Sequence, residues 1–421
     1  MKHRLKLVIA LIGFFCVLAG ATTVSASAQN TVSPNIYAKA AIAVDAKTGQ
    51  ILYQKNAKQP RAIASISKLM TVYIVHQQIQ KHHLSWGSKV KISSELASLS
   101  TASGLTNVTL KTGRSYTVRQ LVNATLVASA NAAALALGQK VSGTSEKFAD
   151  LMNKTARKMG IHDGKFYNAS GLTNKLTGKL ALQKVSANAE NLLSASDVAL
   201  LAKNLLKEFP KVINLTRQTS STFYGMAMSG HNQLIDDKTI AKGVRVDGLK
   251  TGTSDKAGAC FVGSATENGG HRIITVVLGA RNQSASDPAR FIQTAKLMRS
   301  VYTTLTPVKL AAKSKVAGVG KAQIPDGKTE TVIPVTKTAN WVWAANGTHT
   351  SQISGQYVAK PVKLASPTKK NTYVGKARLK IGDKRLQYIG KSAGEIFMVT
   401  KNSVKKANPF VRLWRAILRL F

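Results

Sequence analysis

Apolar runs at residues 40–44 and 50–54, separated by the turn residues Asp45, Lys47, Thr48 and Gly49, predict a β-hairpin near the start of the chain. From Ser65 the period changes. Ile66, Leu69, Met70, Tyr73 and Ile74 recur at three- and four-residue spacing, which predicts a helix. Thr117-Val118-Arg119-Gln120 has the form of a capping box and opens a second helix. A third spans 145–159, with Phe148, Leu151, Met152 and Met159 on its apolar side and Gly160 to end it. Ser194 and Asp197 precede another that runs to about Leu206. Strands return at 244–253, 259–266 and 272–280, the last two joined by the turn Glu267-Asn268-Gly269-Gly270. Asp287 as cap and Pro288 as first helical residue start a helix through Tyr302. An early hairpin, a helical middle, a late hairpin and a closing helix predict one α+β domain over 29–305, its sheet assembled from both ends of the segment.

After Pro307 the pattern shifts to short β-favouring runs at 331–335, 340–344, 372–381 and 385–389, which predict a small all-β domain over 306–400. Trp341 and Trp343 fall on one face of such a strand, where core packing is expected. Residues 401–421 are a basic linker and an amphipathic helix. Phe410, Leu413, Trp414, Ile417 and Phe421 share one face, and Arg412, Arg415 and Arg419 gather opposite. That segment is too short to span a bilayer and has the composition of a helix lying on an anionic membrane surface.

The N-terminus bears on compartment. Lys2, Arg4 and Lys6, an apolar run from 7 to about 19, and Ala26-Ser27-Ala28 have the layout of a signal peptide over 1–28, with an uncleaved anchor as the alternative. Export is expected either way. Cys16 leaves with the leader and Cys260 remains alone in an apolar run, the setting of a buried inert thiol. The 421 residues carry 60 Lys and Arg against 18 Asp and Glu, a net charge of +42. Such an excess points to a polyanionic surrounding. On an exported chain it argues against nucleic acid and for anionic lipid or an anionic wall polymer.

The pieces S-x-x-K, S-x-N and K-T-G point to serine acyl-transfer chemistry, although each occurs more than once. Context separates the copies. Ser65 alone opens an apolar-periodic helix. There Lys68, one turn on, can take its proton, and the helix N-terminus favours a developing negative charge. The copies from Ser88, Ser366 and Ser403 lack such a helix. Ser129-Ala130-Asn131 falls between two apolar helices, whereas Ser186-Ala187-Asn188 lies in a polar stretch. Lys250-Thr251-Gly252 ends a β run directly before the strong hairpin, where an extended peptide can lie along a strand edge. The other K-T-G copies, at Lys47 and Lys111, fall in a turn and before a helix cap.

With these motifs in this order, the chain resembles the penicillin-binding serine-type D-alanyl-D-alanine carboxypeptidases, peptidase family S11. The likeness rests on Arg61 to Thr71, on Ser129-Ala130-Asn131, on Val246 to Gly252, and also on Asn168 to Leu172 and Asp255-Lys256-Ala257-Gly258. It implies a β-lactamase/transpeptidase-like fold and removal of the terminal D-Ala from peptidoglycan pentapeptide stems ending in D-Ala-D-Ala. It implies that Ser65 is the nucleophile, Lys68 its base and Ser129 the proton relay, with Asn131, Lys250, Thr251, Gly252 and Thr253 binding substrate. The backbone N–H groups of Ser65 and Thr253 would form the oxyanion hole. β-Lactams would acylate the site, and no metal or cofactor is implied. Ala132 stands where many relatives have Asp or Cys, and Thr253 where many have His. A class A β-lactamase shares the three motifs, but Glu190-Asn191-Leu192-Leu193 does not match its deacylation signature. A non-catalytic cationic wall- or membrane-binding protein is the remaining alternative.

Overall fold

The computed structural model describes residues 30–420 except 236, 285 and 392. The leader read at 1–28, Cys16 and Phe421 lie outside the described residues.

The core of the molecule is an antiparallel five-stranded sheet of β1 (Ala38–Asp45), β2 (Ile51–Lys55), β3 (Arg245–Ser254), β4 (Gly258–Thr266) and β5 (Arg272–Ala280), in the order β2-β1-β5-β4-β3. The N-terminal hairpin thus joins the C-terminal strands through β1–β5, as the division of strand signals between the two ends predicts. Two-residue alternation gives the sheet two buried faces. Ala40, Ile42 and Val44 enter one apolar cluster with the central helices, and Ala41 and Ala43 enter another with the closing helix.

On the first face lie α1 (Lys68–Gln80), α2 (Ser94–Ser100), α3 (Val118–Leu126), α4 (Asn131–Ser142), α5 (Ser145–Met159) and α6 (Ala195–Glu208). Capping explains several of their starts. Thr117 with Gln120 and Ser194 with Asp197 both form reciprocal capping boxes, while Gly160 ends α5 in the left-handed conformation. Helix α1 is buried on every side over 68–75, which makes it the central helix of the domain. On the other face lies α7 (Ala289–Thr304), which starts one residue later than the Pro rule predicts. Pro288 occupies the cap position, and Asp287 Oδ1 still accepts a 3.0 Å bond from Ala289 N.

Strand β6 (Leu305–Leu310) follows directly on α7 and pairs with β8 (Asn340–Ala345). A second sheet contains β7 (Pro334–Thr336), β9 (Ile353–Tyr357), β10 (Tyr373–Ile381) and β11 (Glu395–Thr400), ordered β7-β11-β10-β9, with a separate apolar cluster beneath it. Two strand expectations change here. The run at 331–335 is broken into Thr331–Val332 and β7, and of the run expected at 385–389 Arg385 pairs with β10, next to Lys384, and Leu386 N donates to Leu379 O at 3.3 Å. The remainder of that run leaves the small sheet because it bonds to the hairpin instead, Gln387 O accepting from Ile51 N at 2.8 Å and Ile389 N donating to Gly49 O at 2.9 Å.

Trp343 is a core residue, as expected, but of the larger domain. Its ring is buried in the cluster around α7, its indole N–H donates to Asp45 Oδ2 at 3.0 Å, and its backbone exchanges two bonds with the Gln50 amide at 2.8 and 2.9 Å. Trp341 is only half-buried. The chain ends in α8 (Pro409–Leu418), which buries none of its residues.

Candidate active site

The residues preceding α1 form a 3-10 turn, Ala64–Ser67, with Ala64 at φ 44°. This sharp entry leaves Ser65 partly exposed while Ile66, Ser67 and Lys68 are buried. Two hydrogen bonds hold the turn. Ser67 Oγ donates to Ala64 O at 2.6 Å, and Ile63 N donates to Asn191 O at 3.1 Å. Two glycines allow the neighbouring segments to approach. A Cβ on Gly171, whose φ is +82°, would fall 1.9 Å from Ala64 O, and one on Gly252 would fall 2.6 Å from Ile63 O.

Lys68 reaches back along its helix to the Ser65 side chain. Its Nζ donates to Ser65 Oγ at 2.7 Å, to Asn131 Oδ1 at 2.8 Å and to Ser170 O at 2.9 Å. Burial, and then the charge of Lys250, hold its pKa well below the usual lysine value. Asn131 begins α4 and is fixed through its other amide atom, Nδ2 donating to Thr106 O at 2.9 Å.

Ser129 lies in the tight connection between α3 and α4, with φ 57°. This left-handed conformation aims its hydroxyl across the cleft at Lys250, whose Nζ donates to Ser129 Oγ at 2.9 Å and to Thr251 O at 3.1 Å. Lys250 is buried, and burial together with the nearby Arg290 lowers its pKa to about 7. It belongs to β3, the outer strand of the large sheet, along which Thr251 is half-buried and Thr253 exposed. Arg290, in the first turn of α7, donates to Thr253 Oγ1 at 2.7 Å and to Gly252 O at 3.0 Å.

The three motifs chosen by context therefore converge on one cleft through two linked pairs, Ser65–Lys68 and Ser129–Lys250, with Asn131 beside the first and Thr251 to Thr253 beside the second. The rejected copies do not join them. Lys47 and Lys111 lie exposed, and Ser186 is exposed in its polar loop. Sequence reading missed Arg290 and the carbonyls of Thr106 and Ser170. An arginine just after the Asp287-Pro288 helix start was the available signal for the first. The others act through backbone atoms or loop geometry and left none. Cys260 is buried, as expected, and burial raises its thiol pKa to about 11.

The family model for D-alanyl-D-alanine carboxypeptidases, peptidase S11, matches residues 25–282, a span that holds every motif residue of the cleft but not Arg290. The chain belongs to this family. It is a serine-type D-alanyl-D-alanine carboxypeptidase of cell-wall synthesis, with its place of action outside the cytoplasm. The carboxypeptidase is 27% identical over 409 residues to D-alanyl-D-alanine carboxypeptidase DacC of Escherichia coli, covering 95% of this chain and 92% of that protein. Among solved structures it is similar to a peptidoglycan synthesis regulatory factor (PBP3) from Streptococcus pneumoniae, with 37% identity, a TM-score of 0.73, and coverage of 88% of this chain and 100% of that one. It is also similar to penicillin-binding protein D2 from Listeria monocytogenes in its cefotaxime-bound form, at 32% identity and a TM-score of 0.53, covering 64% of this chain and 99% of that one. The expected transpeptidase-like α+β fold is thereby established.

Proposed function

We propose that the carboxypeptidase works through an acyl-enzyme on Ser65. The observation that carries this reading is the 2.7 Å bond between Ser65 Oγ and a buried lysine whose pKa is lowered. Neutral Lys68 takes the Ser65 proton as Oγ bonds to the carbonyl carbon between the two terminal D-alanines. The C–N bond then breaks, and the departing amine receives a proton through Ser129. Water attacks the ester, releases the shortened stem as its carboxylate and returns the proton to Ser65. The backbone N–H groups of Ser65 and Thr253 stabilise the oxyanion in both halves.

The free carboxylate of the substrate is assigned to cationic Lys250, Thr251 and Thr253, with Gly252 allowing β3 to approach the nucleophile's turn. Arg290 holds the Thr253 hydroxyl from behind. Asn131 orients Lys68 and the substrate amide. With Thr253 in place of His, this end of the site offers a hydroxyl rather than a ring. Ala132 is fully buried in the apolar cluster of the central helices. β-Lactams, as mimics of the substrate terminus, are expected to acylate Ser65. Replacing Ser65 by Ala in a folded protein abolishes D-Ala release from a pentapeptide stem; undiminished release rejects the assignment.

We assign catalysis to 29–305, with 306–400 as a small β-rich domain and 401–421 as the membrane-facing tail of an exported chain. Supporting the tail assignment, Phe410, Leu413 and Trp414 are 84%, 63% and 62% exposed, while Arg415 pairs with Glu330 at 2.8 Å and Arg419 with Asp326 at 3.6 Å. Those pairs tie the polar side of α8 to the β domain and leave its apolar side outward, the orientation that suits a lipid surface. Among the described residues no helix is long and apolar enough to cross a membrane. The remaining positive charge suits anionic lipid and anionic wall polymers. Release of the protein from isolated walls by salt tests this.

A further inference from the structure

Glu190 is 5% exposed and, among the described residues, forms no ion pair, in a chain with 60 Lys and Arg. A buried carboxylate of this kind is costly unless its oxygens are satisfied by hydrogen bonds. Here Oε2 accepts from Ser254 Oγ at 2.6 Å and Oε1 from Thr173 Oγ1 at 3.3 Å. Ser254 is the last residue of β3 and follows Thr253. Its hydroxyl oxygen also accepts from Ala257 N at 3.0 Å, so one side chain closes the β3–β4 turn and binds Glu190.

The next residue along the chain grips the opposite wall of the cleft. Asn191 is fully buried, and its carbonyl accepts from Ile63 N at the entry to the Ser65 turn. Its side-chain Oδ1 accepts from Tyr167 N at 2.7 Å, and Nδ2 donates to Asn168 O at 2.8 Å. Asn168 Oδ1 in turn accepts from Ser170 N at 3.1 Å and Gly171 N at 2.8 Å, which sets the Ser170 carbonyl that receives Lys68. Two consecutive residues thus connect the end of β3 to the segments that present Ser65 and Lys68.

We propose that Glu190 is a positioning residue for the acylation reaction, a carboxylate clamp that holds the end of β3, and with it the Thr253 N–H, at a fixed distance from Ser65. The proposal rests on the reading of Ser65 as nucleophile and Thr253 as oxyanion donor. A carboxylate suits the task because it only accepts, and its charge shortens and strengthens bonds from hydroxyl donors. Gln keeps one carbonyl oxygen for Ser254 and the same shape; Ala keeps neither.

The test is the second-order rate at which labelled penicillin acylates the full chain, measured from pH 5 to 9 with thermal midpoints recorded beside it. Glu190→Ala is expected to slow acylation by about tenfold, as a small displacement of the oxyanion donor should. Glu190→Gln is expected to restore the rate to within about threefold of the parent, with a pH profile of the same shape. The Glu190–Ser254 bond is lost in either single variant, so the double variant Glu190→Ala, Ser254→Ala should be slowed by less than the product of the two single effects. A parental rate in Glu190→Ala overturns the clamp. So does a Gln variant as slow as the Ala variant with an altered pH profile, which would make the charge itself the working element. If Glu190→Ala does not fold, Ser254→Ala carries the same test, and a parental rate there overturns the proposal. Ser65→Ala is run in parallel. Labelling that persists in it refutes the nucleophile assignment independently of any result at Glu190.

Discussion

The charge on Lys250 bears directly on Lys68, the two buried lysines of one cleft, and adds to burial in lowering the Lys68 pKa. The proposed roles require opposite protonation states: Lys68 neutral to accept a proton, Lys250 cationic to hold a carboxylate. Activity should therefore rise with pH as Lys68 loses its proton and fall as Lys250 loses its own, at about 7 in the free enzyme. A bound substrate carboxylate favours the cation, so the alkaline limb of kcat should lie above that of kcat/KM. A kcat/KM profile that stays level from pH 6 to 9 contradicts this assignment of the two lysines.

The same pKa shift carries a stability consequence. Between about 7 and the ordinary lysine value of 10.5, the unfolded chain binds a proton at Lys250 that the folded chain does not. The burial penalty is therefore fully present below about pH 7 and is relieved as pH rises through that window. Lys250→Met removes the penalty. Its stabilising effect in urea melts should be larger at pH 6 than at pH 9.

Gly171 is the narrowest contact behind the nucleophile. Gly171→Ala would place a methyl group against Ala64 O in a left-handed backbone conformation. A loss of about 2–4 kcal/mol is expected by chemical denaturation, together with slowed acylation because the turn bearing Ser65 must move.

Trp343 joins the β domain to the catalytic sheet through Asp45 and Gln50. Trp343→Ala should cost about 3–5 kcal/mol, read by the same melts. Lys309, by contrast, stacks over half-buried Trp341, and Trp341→Ala should have a small effect.

For the tail, a chain ending at Ala407 should keep full activity on a soluble pentapeptide and lose affinity for vesicles containing anionic lipid. Equal vesicle binding by the two forms rejects the membrane-facing assignment of α8.

The large domain was legible in the sequence because its signals are local. The 3.6-residue period of α1, the capping boxes at Thr117 and Ser194, and the turn between β4 and β5 each settle their own segment. The candidate site was legible where a short motif marked it, from Ser65 to Lys68 and from Lys250 to Thr253, once helix or strand context had separated the copies that meet in the cleft from those that do not. What stayed hidden depends on tertiary approach. Arg290 reaches Thr253 only because α7 crosses behind β4, and Ser170 offers a backbone carbonyl that no side-chain pattern announces. The run at 385–389 was misread for a similar reason: its partner is the hairpin of the other domain, more than three hundred residues away, as the pairing of Gln54 with Gln387 shows.

The central claim is that Ser65 is the acylated nucleophile. Incubation with labelled penicillin, proteolysis and mass mapping of the adduct test it most directly. The label should lie on the peptide containing Ser65 and be absent from the folded Ser65→Ala protein. A stable adduct on any other residue, or labelling that survives in Ser65→Ala, would contradict it.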